Sequence, residues 1–409
     1  MDARDYSLGS LIHRVDRLAE VNWPHSGQVA LAWKNATADR KRLLRAGLGI
    51  GFAAFLIFMQ LGFREAFLES SLVLARAIDG DLVIMKASRH QLGFKDPFPR
   101  RRLYQALAVP GVASAAPIFM ETGLSRWKSP KSGRTYGIRA IGFNPDRPPL
   151  LLPEVHARLE ELRQPNTVMM DNRARRHLGN IETGMVTELA GRAVRVVGTF
   201  PFGPDFFIDG TLFISERNFI MFFDDPDNPG LLQENVEIGV IKVKPGHSPL
   251  RVREEMTRAL PRDVKVMTKK EMVDKETKFQ SDISPVGPIF GLGTVIGFCV
   301  GILIAYQVLF TEISDRLPQY ATMKAMGYER RYLMGVIVRQ ALFYSLGGFI
   351  PAYIVSLALF AILNRAILIP MQMSAGIFAI TLSMTLLMSL MAGLIAARRA
   401  LNADPAEVF

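Results

Sequence analysis

The chain has 409 residues, is 49% hydrophobic with a mean hydropathy above zero, and carries a formal net charge of +11. That balance fits a membrane protein about half of which is soluble domain. The basic excess gathers beside the apolar runs, which points to a membrane surface and away from nucleic acid.

Residues 1–45 read as a cytoplasmic N-terminus, polar from Met1-Asp2-Ala3-Arg4-Asp5 onward and without the apolar core of a signal peptide. Within them, 26–45 is amphipathic, with Val29, Trp33, Ala36 and Leu43 near one face and Lys34, Asp39, Lys41 and Arg42 elsewhere. The pattern predicts an elbow helix on the inner leaflet, with an N-terminal extension of the first span as the alternative. Transmembrane helix 1 follows at 46–64; Ala46–Phe63 is nearly free of charge and close to the roughly 20 residues that a bilayer core demands.

Residues 65–285 form a soluble-looking α/β domain. Near its start, strands at Asp81–Met85 and Val112–Phe119 flank a helix at Arg100–Ala108. Near its end, strands at Val236–Val243 and Val264–Met267 flank a helix at Pro249–Leu260. The two β-α-β units predict one platform next to the membrane. Between them, at about 120–235, strand patterns at Thr135–Gly142, Thr167–Met170, Val194–Phe200 and Thr211–Ile214 alternate with Gly/Pro turns, which predicts a β-rich inserted subdomain.

Transmembrane helix 2 is read at 286–310. Gly293, Gly297 and Gly301 recur every four residues and put a smooth stripe on one face, which fits either a homodimer seam or packing within one subunit. The lone cysteine, Cys299, lies in this span, can make no intramolecular disulfide, and reads as a small packing residue. A loop at 311–332 precedes transmembrane helices 3 (333–363) and 4 (376–397) and a tail at 398–409. In the loop, Pro318 suits the first turn of a helix and Gly327 its C-terminal cap. Gln319, Tyr320, Met323, Lys324, Met326, Gly327 and Tyr328 are the candidate contact residues of a short helix that docks in a groove on a soluble partner. Tyr320, Met323 and Met326 would be the apolar anchors, although on periodicity alone a plain solvated connector is the better reading.

Lys and Arg are denser before span one, between spans two and three, and after span four than at the opposite ends. The positive-inside rule then places both termini and the 311–332 loop in the cytoplasm and the large domain outside. There is no Gly-x-x-x-x-Gly-Lys-Ser/Thr loop, no His-Glu-x-x-His and no Gly-x-Ser-x-Gly, and the six histidines show no metal-ligand spacing. No cofactor or metal is expected on this chain. Gly47, Gly49 and Gly51 read as helix-packing residues, and Arg339 as a charge that snorkels from the end of span three.

The order Gln319-Tyr320-Ala321-Thr322-Met323-Lys324-Ala325-Met326-Gly327-Tyr328 resembles the coupling-helix region of DevC-type ABC transporter permeases, within the FtsX/MacB superfamily. So do Leu31–Asn35, Phe58–Arg64, Pro97–Leu103 and Ala403–Phe409. Gln319 departs from the acidic residue usual at its position. The resemblance implies a MacB/FtsX-like fold and a non-catalytic permease subunit of a bacterial inner-membrane exporter. It further implies a separate ABC ATPase that binds ATP and Mg, a periplasmic membrane-fusion adaptor, an outer-membrane TolC-like channel and a homodimer. The alternative is an FtsX-like regulator that passes ATPase motion to periplasmic cell-wall hydrolases.

Overall fold

The computed structural model describes residues 40–368 and 370–401. The elbow helix read at 26–45 and the terminal Ala403–Phe409 lie wholly or mostly outside those residues. The rest divides into two compact units. One comprises the described residues up to Phe63 with Phe290–Phe360 and those from Met373. The other comprises Arg64–Ile289 with Ala361–Gln372. Helix α1 (Arg40–Ala77) belongs to both: 38 residues without a proline, or about 57 Å at 1.5 Å per residue.

The second unit is built on one 11-stranded sheet. Its strands are β1 (Leu82–Lys86), β3 (Val112–Glu121), β4 (Arg126–Lys128), β5 (Thr135–Gly137), β6 (Arg139–Phe143), β7 (Thr167–Asp171), β8 (Val186–Leu189), β9 (Arg192–Phe200), β10 (Thr211–Ser215), β12 (Ile238–Val243) and β13 (Val264–Thr268). The short pair β2 (Phe98–Pro99) and β11 (Asn235–Val236) stands apart. The spatial order is β13-β1-β12-β3-β6-β10-β7-β9-β8-β4-β5.

The four platform strands are neighbours at one end and pair antiparallel, with β12 lodged between β1 and β3. This is the split β-α-β arrangement, in which each unit leaves a gap that the other fills. The inserted strands do not form a sheet of their own: β6 pairs with β3 and carries the same sheet onward. β6, β7 and β10 are buried along their whole length because both faces are covered.

On one face lie α2 (Arg101–Leu107), α3 (Glu216–Phe223) and α4 (Pro249–Ala259), which contribute Leu103, Phe219, Val252 and Met256 to a core with Leu82, Ile84 and Ile214. On the other face, the end of α1 (Leu74, Ala75, Ala77) and α5 (Lys269–Lys278) pack beside Val83, Ile238 and Val240, α5 through Met272. So the helix that leaves the first span and the helix that precedes the second share one face of the sheet. A capping box starts α5: the Glu271 backbone N–H donates to Thr268 Oγ1 at 3.1 Å, and the Thr268 N–H donates to Glu271 Oε2 at 2.8 Å. The buried Arg89 holds the neighbouring loop by donating to Glu237 Oε2 at 2.6 Å and to the Leu92 carbonyl at 2.8 Å. The Leu92 N–H in turn donates to Glu276 of α5 at 2.9 Å.

The first unit gathers α1 with α6 (Val286–Asp315), α7 (Leu317–Ala325), α8 (Arg330–Ile367) and α9 (Ala375–Leu401). Among the described residues, α1, α6, α8 and α9 are long and apolar enough to cross a membrane, and only 22–39% of each apolar window is buried inside the chain. Outward residues such as Leu292, Ile296, Leu303, Ile350 and Ile354 are large and apolar, as lipid contact requires.

Candidate functional site

The short helix α7 forms where the loop sequence places it, with Pro318 in the first turn. Its end is a Schellman cap: the Tyr328 N–H donates to the Met323 carbonyl and the Gly327 N–H to the Lys324 carbonyl, both at 3.1 Å. Gly327 sits at φ +91°, a backbone state that side chains with a Cβ resist.

The helix has two unlike faces. Tyr320 does not face solvent, as an exposed docking anchor must; it is 6% exposed and joins Leu309, Ile313, Leu333 and Ile337 in a core. Burial pushes its phenol up to about 12, against the pull of Arg316. Met323, one turn on, is half-buried against the same core. The reason is register: in a helix, i and i+3 share a face, and here that face is turned inward. The opposite side exposes Gln319, Lys324, Met326, Gly327 and Tyr328, with Met326 64% exposed. The outward surface is thus an apolar pair, Met326 and Tyr328, beside the exposed cations Lys324 and Arg331.

Beneath α7 lies a buried polar group that the sequence did not signal. Glu312, near the end of α6, is 2% exposed. It accepts a hydrogen bond from the Tyr344 hydroxyl of α8, which in turn accepts from Gln340 Nε2 at 3.2 Å. Arg316, the residue before α7, lies 3.4 Å from the other Glu312 oxygen. A buried carboxylate is tolerated only when partnered, so this set ties α6, α8 and the entry to α7 together.

The glycine stripe of α6 is occupied within the chain. A Cβ on Gly293 would run into Gln60, one on Gly297 would touch Ile57 and Leu56, and one on Gly301 would meet Ala53 and Met388. Of the two readings of the stripe, the structure supports packing against α1 and α9 of the same chain; a dimer seam on that face would need the space these residues fill. Cys299 on the same helix is exposed. Gly47 and Gly51 of α1 meet Gly347 and Gly348 of α8 backbone to backbone: a Cβ on Gly348 would lie 2.7 Å from the Gly47 carbonyl oxygen. Small residues permit such crossings. Among the described residues no group of three His, Cys, Asp or Glu side chains could hold a metal ion.

These helices carry the comparison that bears on function. Residues 290–405 match the family described as FtsX-like permease C-terminal. The match takes in the Glu312 group, α7 and its cap. No curated protein matches the chain. About half of the chain is similar to each of two solved structures. The periplasmic region of MacB from Actinobacillus actinomycetemcomitans is 11% identical, with a TM-score of 0.35, covering 49% of this chain and 94% of that one. The extracellular domain of the noncanonic ABC-type transporter YknZ from Gram-positive bacteria is 12% identical, with a TM-score of 0.32, covering 46% of this chain and 99% of that one.

Proposed function

We propose that this chain is the non-catalytic membrane subunit of an ABC exporter, and that α7 is where a separate ATPase pushes. The observation that carries the reading is the capped helix inside the FtsX-like segment, with Met326 and Tyr328 exposed beside Lys324. Met fills the groove of a moving partner adaptably, and the flanking cations favour an acidic rim on that partner. ATP and Mg are bound by that ATPase and not by this chain. Closure of its dimer displaces α7, and the Glu312–Tyr344 link passes the displacement to α6 and α8. In this reading the chain sits in a bacterial inner membrane as a homodimer, with both termini and α7 cytoplasmic and the sheet-rich unit periplasmic. A periplasmic adaptor and an outer-membrane channel complete the export path.

Because Tyr320 and Met323 face inward, the informative substitution is Met326→Asp. It should cut transporter-stimulated ATP hydrolysis of the co-expressed ATPase by more than about tenfold, the scale on which a buried anchor acts, while membrane insertion is unchanged. Unaltered stimulation by both Met326→Asp and Lys324→Glu would sink α7 as the docking element.

A further inference from the structure

A cavity of about 490 Å³ opens in the sheet-rich unit between three segments: the stretch of α1 from Glu65 to Arg76, the Phe202–Pro204 loop with Arg173, and Leu368, Pro370 and Gln372 between α8 and α9. That volume is in the range of small-molecule sites. Its walls are mixed. Val73, Phe202, Leu368 and Pro370 are apolar, and charged groups share the lining. Glu69 is paired with Arg76 and Glu65 has a partner of its own. Arg173 is the remaining charge: among the described residues its guanidinium makes no hydrogen bond or ion pair, and its influence on Asp171 is electrostatic only.

The site is built rather than incidental. Asp171, fully buried at the end of β7, accepts hydrogen bonds from the backbone N–H groups of Arg173 at 2.9 Å, Phe202 at 3.0 Å and Gly203 at 2.8 Å. One carboxylate thereby fixes both strands of chain that make this wall, and its oxygens are spent on backbone groups. On the third wall, Arg176 donates to the Arg365 carbonyl at 3.2 Å, and Leu368 holds φ at +62°. A leucine keeps that strained state only where its surroundings impose it, and such residues concentrate at binding sites.

We propose that this cavity binds an anionic amphiphile, with its phosphate or carboxylate on Arg173 and its hydrocarbon against Val73, Phe202, Leu368 and Pro370. The cavity's apolar half and, among the described residues, its one unpaired cation together match a molecule with a hydrocarbon part and an anionic head. Binding here does not depend on whether the chain exports anything.

The test is native mass spectrometry of the full-length protein in neutral detergent, titrated with lysophosphatidylglycerol. Wild type should hold one tight copy per chain. Arg173→Gln and Val73→Trp should each weaken it by about tenfold or more, the loss expected when a charge-assisted bond or its cavity is removed, and Arg173→Lys should retain most of the binding. Phosphatidylglycerol carried through purification would identify the bilayer as the source. Filling only by the added single-chain lipid would identify a soluble amphiphile. Either supports the site. Equal binding by wild type and Arg173→Gln, an exposed position that leaves folding intact, would overturn it, as would displacement by inorganic phosphate alone.

Discussion

Lys265 and Lys275 both donate to the Arg89 carbonyl, each at 2.6 Å. Two ammonium groups on one oxygen repel each other. Burial, then Lys275, then Arg89 lower Lys265 from 10.5 to about 8, with Asp96 opposing. The sign follows from proton counting. Between about 8 and 10.5 the unfolded lysine keeps a proton that the folded one has lost, so stability rises with pH across that window. The melting temperature of the sheet-rich unit, followed through the buried Trp127, should increase from pH 7.5 to pH 9.5, approximate settings that straddle the lowered value. Lys265→Gln should flatten the increase. The same slope in both proteins would exclude Lys265 as its origin. None of this could be read from the sequence, because Lys265 falls in an ordinary alternating strand. Glu312 was hidden for a similar reason: a carboxylate at the end of an apolar run reads as solvated until Tyr344, 32 residues later, is seen to donate to it.

Elements were more legible than residues. The helix after Pro318 and its glycine stop stand where turn chemistry predicts, because capping is local. Strands β4 and β8 escaped notice because they are three and four residues long. Helix α5 escaped although Thr268-Lys269-Lys270-Glu271 spells out its capping box. Spacing alone located the glycine stripe, but a stripe does not name its partner. The partner matters most where α1 and α8 cross. A side chain at Gly348 would collide with the Gly47 carbonyl at 2.7 Å and the Gly51 nitrogen at 2.8 Å, and backbone cannot swing aside. Gly348→Leu should therefore destabilise the helical unit by at least the roughly 1–3 kcal/mol of ordinary overpacking, seen as loss of the monodisperse detergent-solubilised protein. Gly347→Leu, at a position with open space, should be tolerated. Comparable loss in both would mean that the crossing is not the cause.

At the scale of the whole molecule, the number and order of apolar helices were plain from hydropathy, and the platform strands from period-two patterning. The continuation of the platform sheet through the insertion was not, since pairing between β3 and β6 leaves no signature in either strand. Orientation rests on charge asymmetry and is open to a direct check. With Cys299 replaced by serine, a cysteine at the exposed Ser132 should react with an impermeant thiol reagent in intact cells, and one at the exposed Gly327 should not; the opposite pattern would turn the protein over.

Helix α1 is cut like a key where it meets α8. Its teeth are Gly47 and Gly51, which share a face because they are four residues apart, and Gly348 of α8 sits against both. The fit therefore depends on register as much as on size. One alanine inserted after Gly49 would turn one glycine about 100° away from α8 and leave the crossing half made. The detergent-solubilised protein should then lose monodispersity as it does with Gly348→Leu, although every side chain at the crossing would still be small, so that what the glycines encode is a phase as well as a gap.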